Sequence, residues 1–220
     1  MAEEKHQIQW GDNLVSAIFN QPQDSKFLLI LAHGAGAGME HSFFEELVAQ
    51  LSELQIATLR FQFPYMEAGK RRVDSQDKSM RAIEAASKYG QSLAPKLPLF
   101  IGGKSFGGRM ASHAVSEQHV SPKGLIFYGF PLHPAGKEGT KRAEHLKDVS
   151  CPMLFLQGTR DRLCRLDLLE EVTNPLALTE THLVNDGDHS FKVRKKSGED
   201  QGQVIPNLAR KTLLFIEKFS

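Results

Sequence analysis

Short, continuously apolar runs separated by longer amphipathic ones constrain this chain more than any other feature. The runs fall at residues 15–19, 26–32, 56–61, 99–102, 125–128, 153–157 and 181–184. Several are apolar on both faces, the pattern of parallel strands covered by helices on either side. Between them, residues 43–51, 78–89, 108–115, 166–172 and 208–219 repeat apolar positions at helical spacing. Such alternation predicts an α/β fold built on a doubly wound, mostly parallel sheet. Residues 7–10 and 15–19 flank Gly11-Asp12-Asn13 and predict an antiparallel N-terminal hairpin at the sheet edge. A chain of 220 residues supplies one large core, so we expect a single domain over residues 1–220.

One of the apolar runs, 99–102, leads into Gly103-Lys104-Ser105-Phe106-Gly107, and a segment of small residues follows. Gly-x-Ser-x-Gly between a strand and a helix predicts a sharp turn that lifts the Ser105 hydroxyl clear of the sheet. The flanking glycines are required if a Cβ at either position would collide with the neighbouring strand and helix. In this turn the Phe106 N–H, at a helix N-terminus, points toward an incoming oxyanion. The residue before the serine is expected to project away from it, putting Lys104 in a structural ion pair or in solvent.

A serine hydroxyl needs a base within hydrogen-bond reach, and the base needs a carboxylate to fix its tautomer. On such a sheet both follow the serine in the order acid, then histidine, each on a loop past a strand end. The run 153–157 leads into Gly158-Thr159-Arg160-Asp161, and the run 181–184 into Asn185-Asp186-Gly187-Asp188-His189. Ser105, Asp161 and His189 are therefore the expected catalytic residues. Asp167 is the rival acid, but it reads as a first-turn residue of a helix. His182 lies inside a strand pattern, and His113 and His119 lie on or just past the helix after Ser105.

The second oxyanion donor is expected from the loop His33-Gly34-Ala35-Gly36-Ala37-Gly38 after the run 26–32, with Ala35 N–H first and Gly36 second. His33 reads as a loop-shaping residue. Gly34, Gly36 and Gly38 lack the spacing of a nucleotide loop. No His-x-His or His-Glu-x-x-His occurs, which leaves metal binding without support, and we expect no cofactor.

Charge excludes other classes. Lys+Arg 27 against Asp+Glu 26 leaves no global field to recruit nucleic acid or an anionic membrane. The clusters Lys70-Arg71-Arg72 and Arg194-Lys195-Lys196 read as solvated loop charges. No secretory signal is visible, and the most apolar run, 27–32, is far below spanning length. Two cysteines without a Cys-x-x-Cys motif fit a reduced, cytoplasmic setting. A small-molecule substrate is the expected partner.

The stretch between 128 and 153 opens with Gly129-Phe130-Pro131-Leu132-His133-Pro134-Ala135-Gly136, which opposes helix formation. Only 141–147 has room for a helical turn or two, so no cap domain is expected. An open, shallow pocket follows, rimmed by Leu132 and His133, with Tyr65 and Met66 opposite. His133 either contacts substrate or braces its loop.

The chain resembles the α/β-hydrolase superfamily near its dienelactone hydrolase-like branch. The resemblance rests on the Ser105 turn, the His33-Gly34 loop and the placement of Asp161 and His189. More narrowly, Gly102-Gly103-Lys104-Ser105-Phe106-Gly107-Gly108-Arg109 is similar to a small α/β-hydrolase-like family. Arg60-Phe61-Gln62-Phe63-Pro64-Tyr65, Pro131-Leu132-His133-Pro134 and Gln157-Gly158-Thr159-Arg160-Asp161 share that similarity. That family includes a testis-expressed protein and a subunit of the non-specific lethal chromatin complex. The resemblance covers residues 14–220. It implies the α/β-hydrolase fold; with Ser105, Asp161 and His189 all present, a serine hydrolase of small esters, thioesters or lactones is the expected function. The alternative it implies is a non-catalytic interaction module that keeps the fold.

Overall fold

In the computed structural model, which describes residues 3–220, the strands lie edge to edge in one eight-stranded sheet. They are β1 (Glu4–Trp10), β2 (Asn13–Asn20), β3 (Phe27–Ala32), β4 (Ile56–Phe61), β5 (Leu99–Lys104), β6 (Leu125–Tyr128), β7 (Met153–Gly158) and β8 (Thr179–Val184). Their spatial order is β1-β2-β4-β3-β5-β6-β7-β8. β1 pairs antiparallel with β2, and β2 with β4; every later pairing is parallel. Ala32 lies opposite both Phe61 and Gly103, so the central strands end level and their following loops share one rim.

The α-helices among the described residues are α1 (Ser42–Glu53), α2 (Pro64–Glu67), α3 (Gln76–Leu93), α4 (Phe106–Ser116), α5 (Leu166–Thr173) and α6 (Gln201–Phe219). Alternate residues of each central strand feed opposite layers, as the two-residue period requires. In β3, Leu28, Ile30 and Ala32 join the core that includes α3 and α4 residues. Phe27, Leu29 and Leu31 join the core that includes α1 and α6 residues.

The loop expected over 64–77 contains the short helix α2. α6 begins earlier than its periodicity implied, at Gln201, where the Asp200 carboxylate accepts from Gly202 N at 2.9 Å. The helix runs through Pro206 at the loss of one backbone hydrogen bond. Between β6 and β7 the chain makes only a 3-10 segment, Lys141–Asp148, so there is no separate cap. No helix among the described residues is long and apolar enough to cross a membrane.

Candidate active site

Ser105 links β5 to α4 at φ 51°, ψ −113°, a conformation that costs a non-glycine residue free energy. Close backbone approaches on both sides hold it there. A Cβ on Gly103 would lie 2.3 Å from Gly108 N, and one on Gly107 would lie 2.2 Å from Ala32 O. Only glycines let α4 fold back against β5 and the end of β3.

Three side chains from three strand ends meet at this turn. His189 Nε2 is 2.8 Å from Ser105 Oγ, and His189 Nδ1 is 2.7 Å from Asp161 Oδ2. Ionised Asp161 only accepts, so Nδ1 carries the imidazole proton and Nε2 is left to accept from the serine. The Asp161 side chain is fully buried, and two further donors hold it: Gln157 Nε2 at 2.6 Å to Oδ2 and Leu163 N at 2.8 Å to Oδ1. Gln157 is itself oriented by Phe130 N, which donates to its Oε1 at 2.9 Å.

The Asp161 and His189 loops touch at the backbone. A Cβ on Gly158 would fall 2.3 Å from Gly187 O, and Arg160 N donates to the same carbonyl at 2.8 Å. The histidine loop turns through two left-handed residues, Asp186 at φ 52° and Phe191 at φ 62°. Asp186 is clamped by the Arg194 guanidinium, with Arg160 Nε 3.4 Å away; the Arg194 hydrogen bonds hold its carboxyl down at about 2.

The glycine-rich loop after β3 is built around a neutral histidine. Phe63 N donates to His33 Nε2 at 3.0 Å, so Nδ1 carries the proton and donates to Gly34 O at 2.8 Å. Burial pulls the His33 pKa down to about 4. Gly36 N donates to the Tyr65 hydroxyl at 3.3 Å, whereas Ala35 N–H has no acceptor among the described residues. Phe106 N–H, in the first turn of α4, has no partner within its helix.

The His33 arrangement makes a prediction about acid stability. The unfolded chain binds the proton near 6.5 and the folded chain only near 4, so stability is lost as pH falls through that window. The full loss from this residue is on the order of 3 kcal/mol. Thermal unfolding followed from neutral to mildly acidic pH should therefore fall more steeply in the wild type than in His33→Asn. Equal slopes would show that His33 does not bear this cost.

A cleft of about 670 Å³ opens over Ser105 and His189. Its walls come from the loop Gly34–Ala37, the start of α1 with Phe43 and Phe44, and Leu163, Ser190 and Ile205. The expected rim residues lie elsewhere. Leu132 is wholly inside the core. His133 is buried and braces its loop, accepting from Arg165 N at 3.1 Å through Nε2 and bonding Pro134 O at 3.0 Å through Nδ1. Tyr65 is buried beneath the glycine loop, stacked with Phe63 and edge-on to Phe106. Met66 packs toward Gly38, where an added Cβ would lie 3.6 Å from its Cε. Lys104 also departs from expectation: it makes no ion pair among the described residues and lines the cleft. Strand alternation is the reason, since it turns Lys104 to the α1 and α6 side of the sheet, the side Gly102 faces.

Gln157 and the Gly158–Gly187 contact escaped the sequence reading, although both lie in stretches it singled out. Phe43 carries no sequence signal beyond helical periodicity, and Ile205 lies before the periodic run 208–219, in the part of α6 that the pattern did not reach.

These features place the chain among α/β hydrolases, and it belongs to the alpha/beta hydrolase domain family, whose model matches residues 25–217. Similar solved structures include a dienelactone hydrolase from Anabaena variabilis, 15% identical, with a TM-score of 0.80 over 99% of this chain and 98% of that one. A lid-free a/b serine hydrolase from Xanthomonas campestris is 18% identical, with a TM-score of 0.76 over 98% and 94%. Est1E from Butyrivibrio proteoclasticus, solved with ferulic acid bound, is 16% identical, with a TM-score of 0.75 over 96% and 99%.

Proposed function

We propose that the protein is a serine hydrolase of small carboxylic esters, thioesters or lactones. The unbroken hydrogen-bonded chain from Ser105 through His189 to Asp161, at a strained strand-to-helix turn, is the observation that carries this reading. Ser105 Oγ attacks the acyl carbon while His189 Nε2 takes its proton, and Asp161 steadies the imidazolium. The developing oxyanion is held by the N–H groups of Phe106 and Ala35. The tetrahedral intermediate collapses as the leaving alcohol or thiol takes the proton from His189. Water, deprotonated by the same imidazole, then attacks the acyl-enzyme and releases the acid and Ser105. Family membership supports hydrolase chemistry, and the names of the dienelactone hydrolase and serine hydrolase neighbours point to the same class. The free thiols of Cys151 and Cys164 suit a reducing, cytoplasmic setting.

Covalent labelling by a fluorophosphonate probe, abolished in Ser105→Ala, is the expected result. Failure of the wild type to label would leave the fold as a non-catalytic module. Substrate length gives a further prediction. A capless cleft offers little wall to a long chain, and each CH₂ left in water forgoes about 0.8 kcal/mol. Acetyl to butyryl p-nitrophenyl esters should therefore be cleaved with higher kcat/KM than dodecanoyl ones. A kcat/KM that climbs steadily with acyl length would refute the open-cleft reading.

A further inference from the structure

A charged group shielded from water normally sits against an opposite charge, because desolvating it alone is costly. Lys104 does not. It precedes Ser105 on the chain, and no described carboxylate lies within ion-pair distance of its ammonium. The ammonium donates instead to the backbone carbonyl of His189 at 2.5 Å. It also lies 5.4 Å from the ring centroid of Phe191 and 6.0 Å from that of Phe43. Gly129, at φ 74°, leaves the room: a Cβ there would come 3.1 Å from Lys104 Nζ and 3.6 Å from His189 Nδ1.

The His189 peptide has little else to hold it. Its neighbours are fixed, with Asp188 Oδ1 accepting from Ser190 N at 2.8 Å and from Lys192 N at 3.0 Å. His189 N–H has no acceptor among the described residues, and Lys104 is the donor to its carbonyl.

We propose that Lys104 is a positioning residue of the hydrolase described above: anchored on the strand that ends in Ser105, its ammonium ties down the His189 backbone and so sets the imidazole between Ser105 and Asp161. The inference rests on the serine hydrolase reading. A charged donor suits the task, since hydrogen bonds from an ionised group are roughly twice as strong as neutral ones.

Burial draws the Lys104 pKa down from 10.5 to about 8, against the opposing pull of Asp161 and Asp188. The other titratable groups on the cleft wall are His189 and Lys192, on the same loop as Asp188, and His41 and Glu46 from the start of α1. The charged form is thus kept near neutral pH and lost in mild alkali. Because the unfolded chain holds this proton more tightly, the charged lysine lowers stability at neutral pH, and the cost fades as pH rises from about 8 toward 10.5. A residue kept only for stability would show the opposite sign.

The test compares wild type with Lys104→Met and Lys104→Gln on two p-nitrophenyl esters, a neutral butyrate and a dicarboxylic monoester carrying a free carboxylate. Positioning predicts a kcat loss on the order of 10²-fold on both esters, as expected for a misplaced catalytic group. KM should change little, and the Tm of Lys104→Met at neutral pH should not fall. Wild-type kcat/KM should decline on the alkaline side with an apparent pKa near 8, and that limb should vanish in Lys104→Met. The wild-type limb requires no variant to fold, and its absence would overturn the part of the proposal that rests on the lysine's charge, since a neutral amine can still donate to the His189 carbonyl. A loss confined to KM for the anionic ester would instead make Lys104 a reader of substrate charge. Tm falling in step with kcat would make it a structural brace, and unchanged kcat would remove it from the mechanism. If wild type binds the fluorophosphonate and cleaves esters while these signs are missing, only the Lys104 proposal fails. If wild type does neither, the hydrolase reading fails, and this proposal with it.

Discussion

Replacing Ser105 or His189 with alanine is expected to lower turnover on short-chain esters by on the order of 10⁶, because members of such a chain act as one unit. Ser105→Ala removes the atom that would bond to the acyl carbon. His189→Ala leaves the Ser105 hydroxyl without the acceptor now 2.8 Å away. The double variant should be no worse than either single one, since neither residue works without the other. Folding should survive both changes. Ser105→Ala keeps a Cβ at the strained turn, and the glycine contacts that impose the turn, Gly103 on Gly108 and Gly107 on Ala32, are untouched. His189 is partly exposed, so its truncation opens no sealed cavity. Steady-state kinetics on purified variants with circular dichroism spectra matching wild type would measure this. An active Ser105→Ala protein, free of wild-type contamination, would move the nucleophile elsewhere.

The sheet and the convergence of Ser105, Asp161 and His189 were legible because each depends on local sequence. Apolar runs such as Phe27–Ala32 mark buried strands, and position along a strand says which residue reaches the rim. What local sequence does not give is the side of the sheet to which a loop turns. The loops of Tyr65 and Leu132 leave the correct rim, which points both residues to the pocket, yet both fold into the core on the α3 and α4 side. The cleft opens on the other side, toward Phe43 and Ile205. Alternation along β5 carried part of that information. Phe100 packs with α1 and α6 residues and Ile101 with the opposite core, so Lys104 must point to the same side as Phe100. Gln157 was hidden for a different reason. A buried glutamine reads as strand until its partners, Phe130 N and Asp161, are brought together from separate segments.

Asp161→Asn is expected to lower kcat by about 10⁴, by analogy with the same substitution in a serine protease, through the histidine tautomer. Three donors converge on the carboxylate: His189 Nδ1, Gln157 Nε2 and Leu163 N. An asparagine offers one carbonyl oxygen and places an NH₂ where the other oxygen was. With the oxygen kept toward Leu163, the NH₂ faces both Gln157 and His189. Gln157 cannot turn to accept from it without setting its own NH₂ against Phe130 N–H, which now donates to Oε1. The imidazole can adapt, by moving its proton from Nδ1 to Nε2 and accepting from the asparagine. That exchange repairs the hydrogen bond and disables the base, because Nε2 then carries a proton and cannot take one from Ser105. With the oxygen turned toward His189 instead, the NH₂ confronts Leu163 N–H, a clash of buried donors that costs about 1–3 kcal/mol. Either orientation leaves one buried donor facing another, Gln157 Nε2 or Leu163 N–H, so the variant should lose about 1–3 kcal/mol of stability along with its activity, and the imidazole nitrogen resonances should report an Nε2–H tautomer. Activity within about tenfold of wild type, or an unchanged Nδ1–H signal, would remove Asp161 as the residue that orients His189.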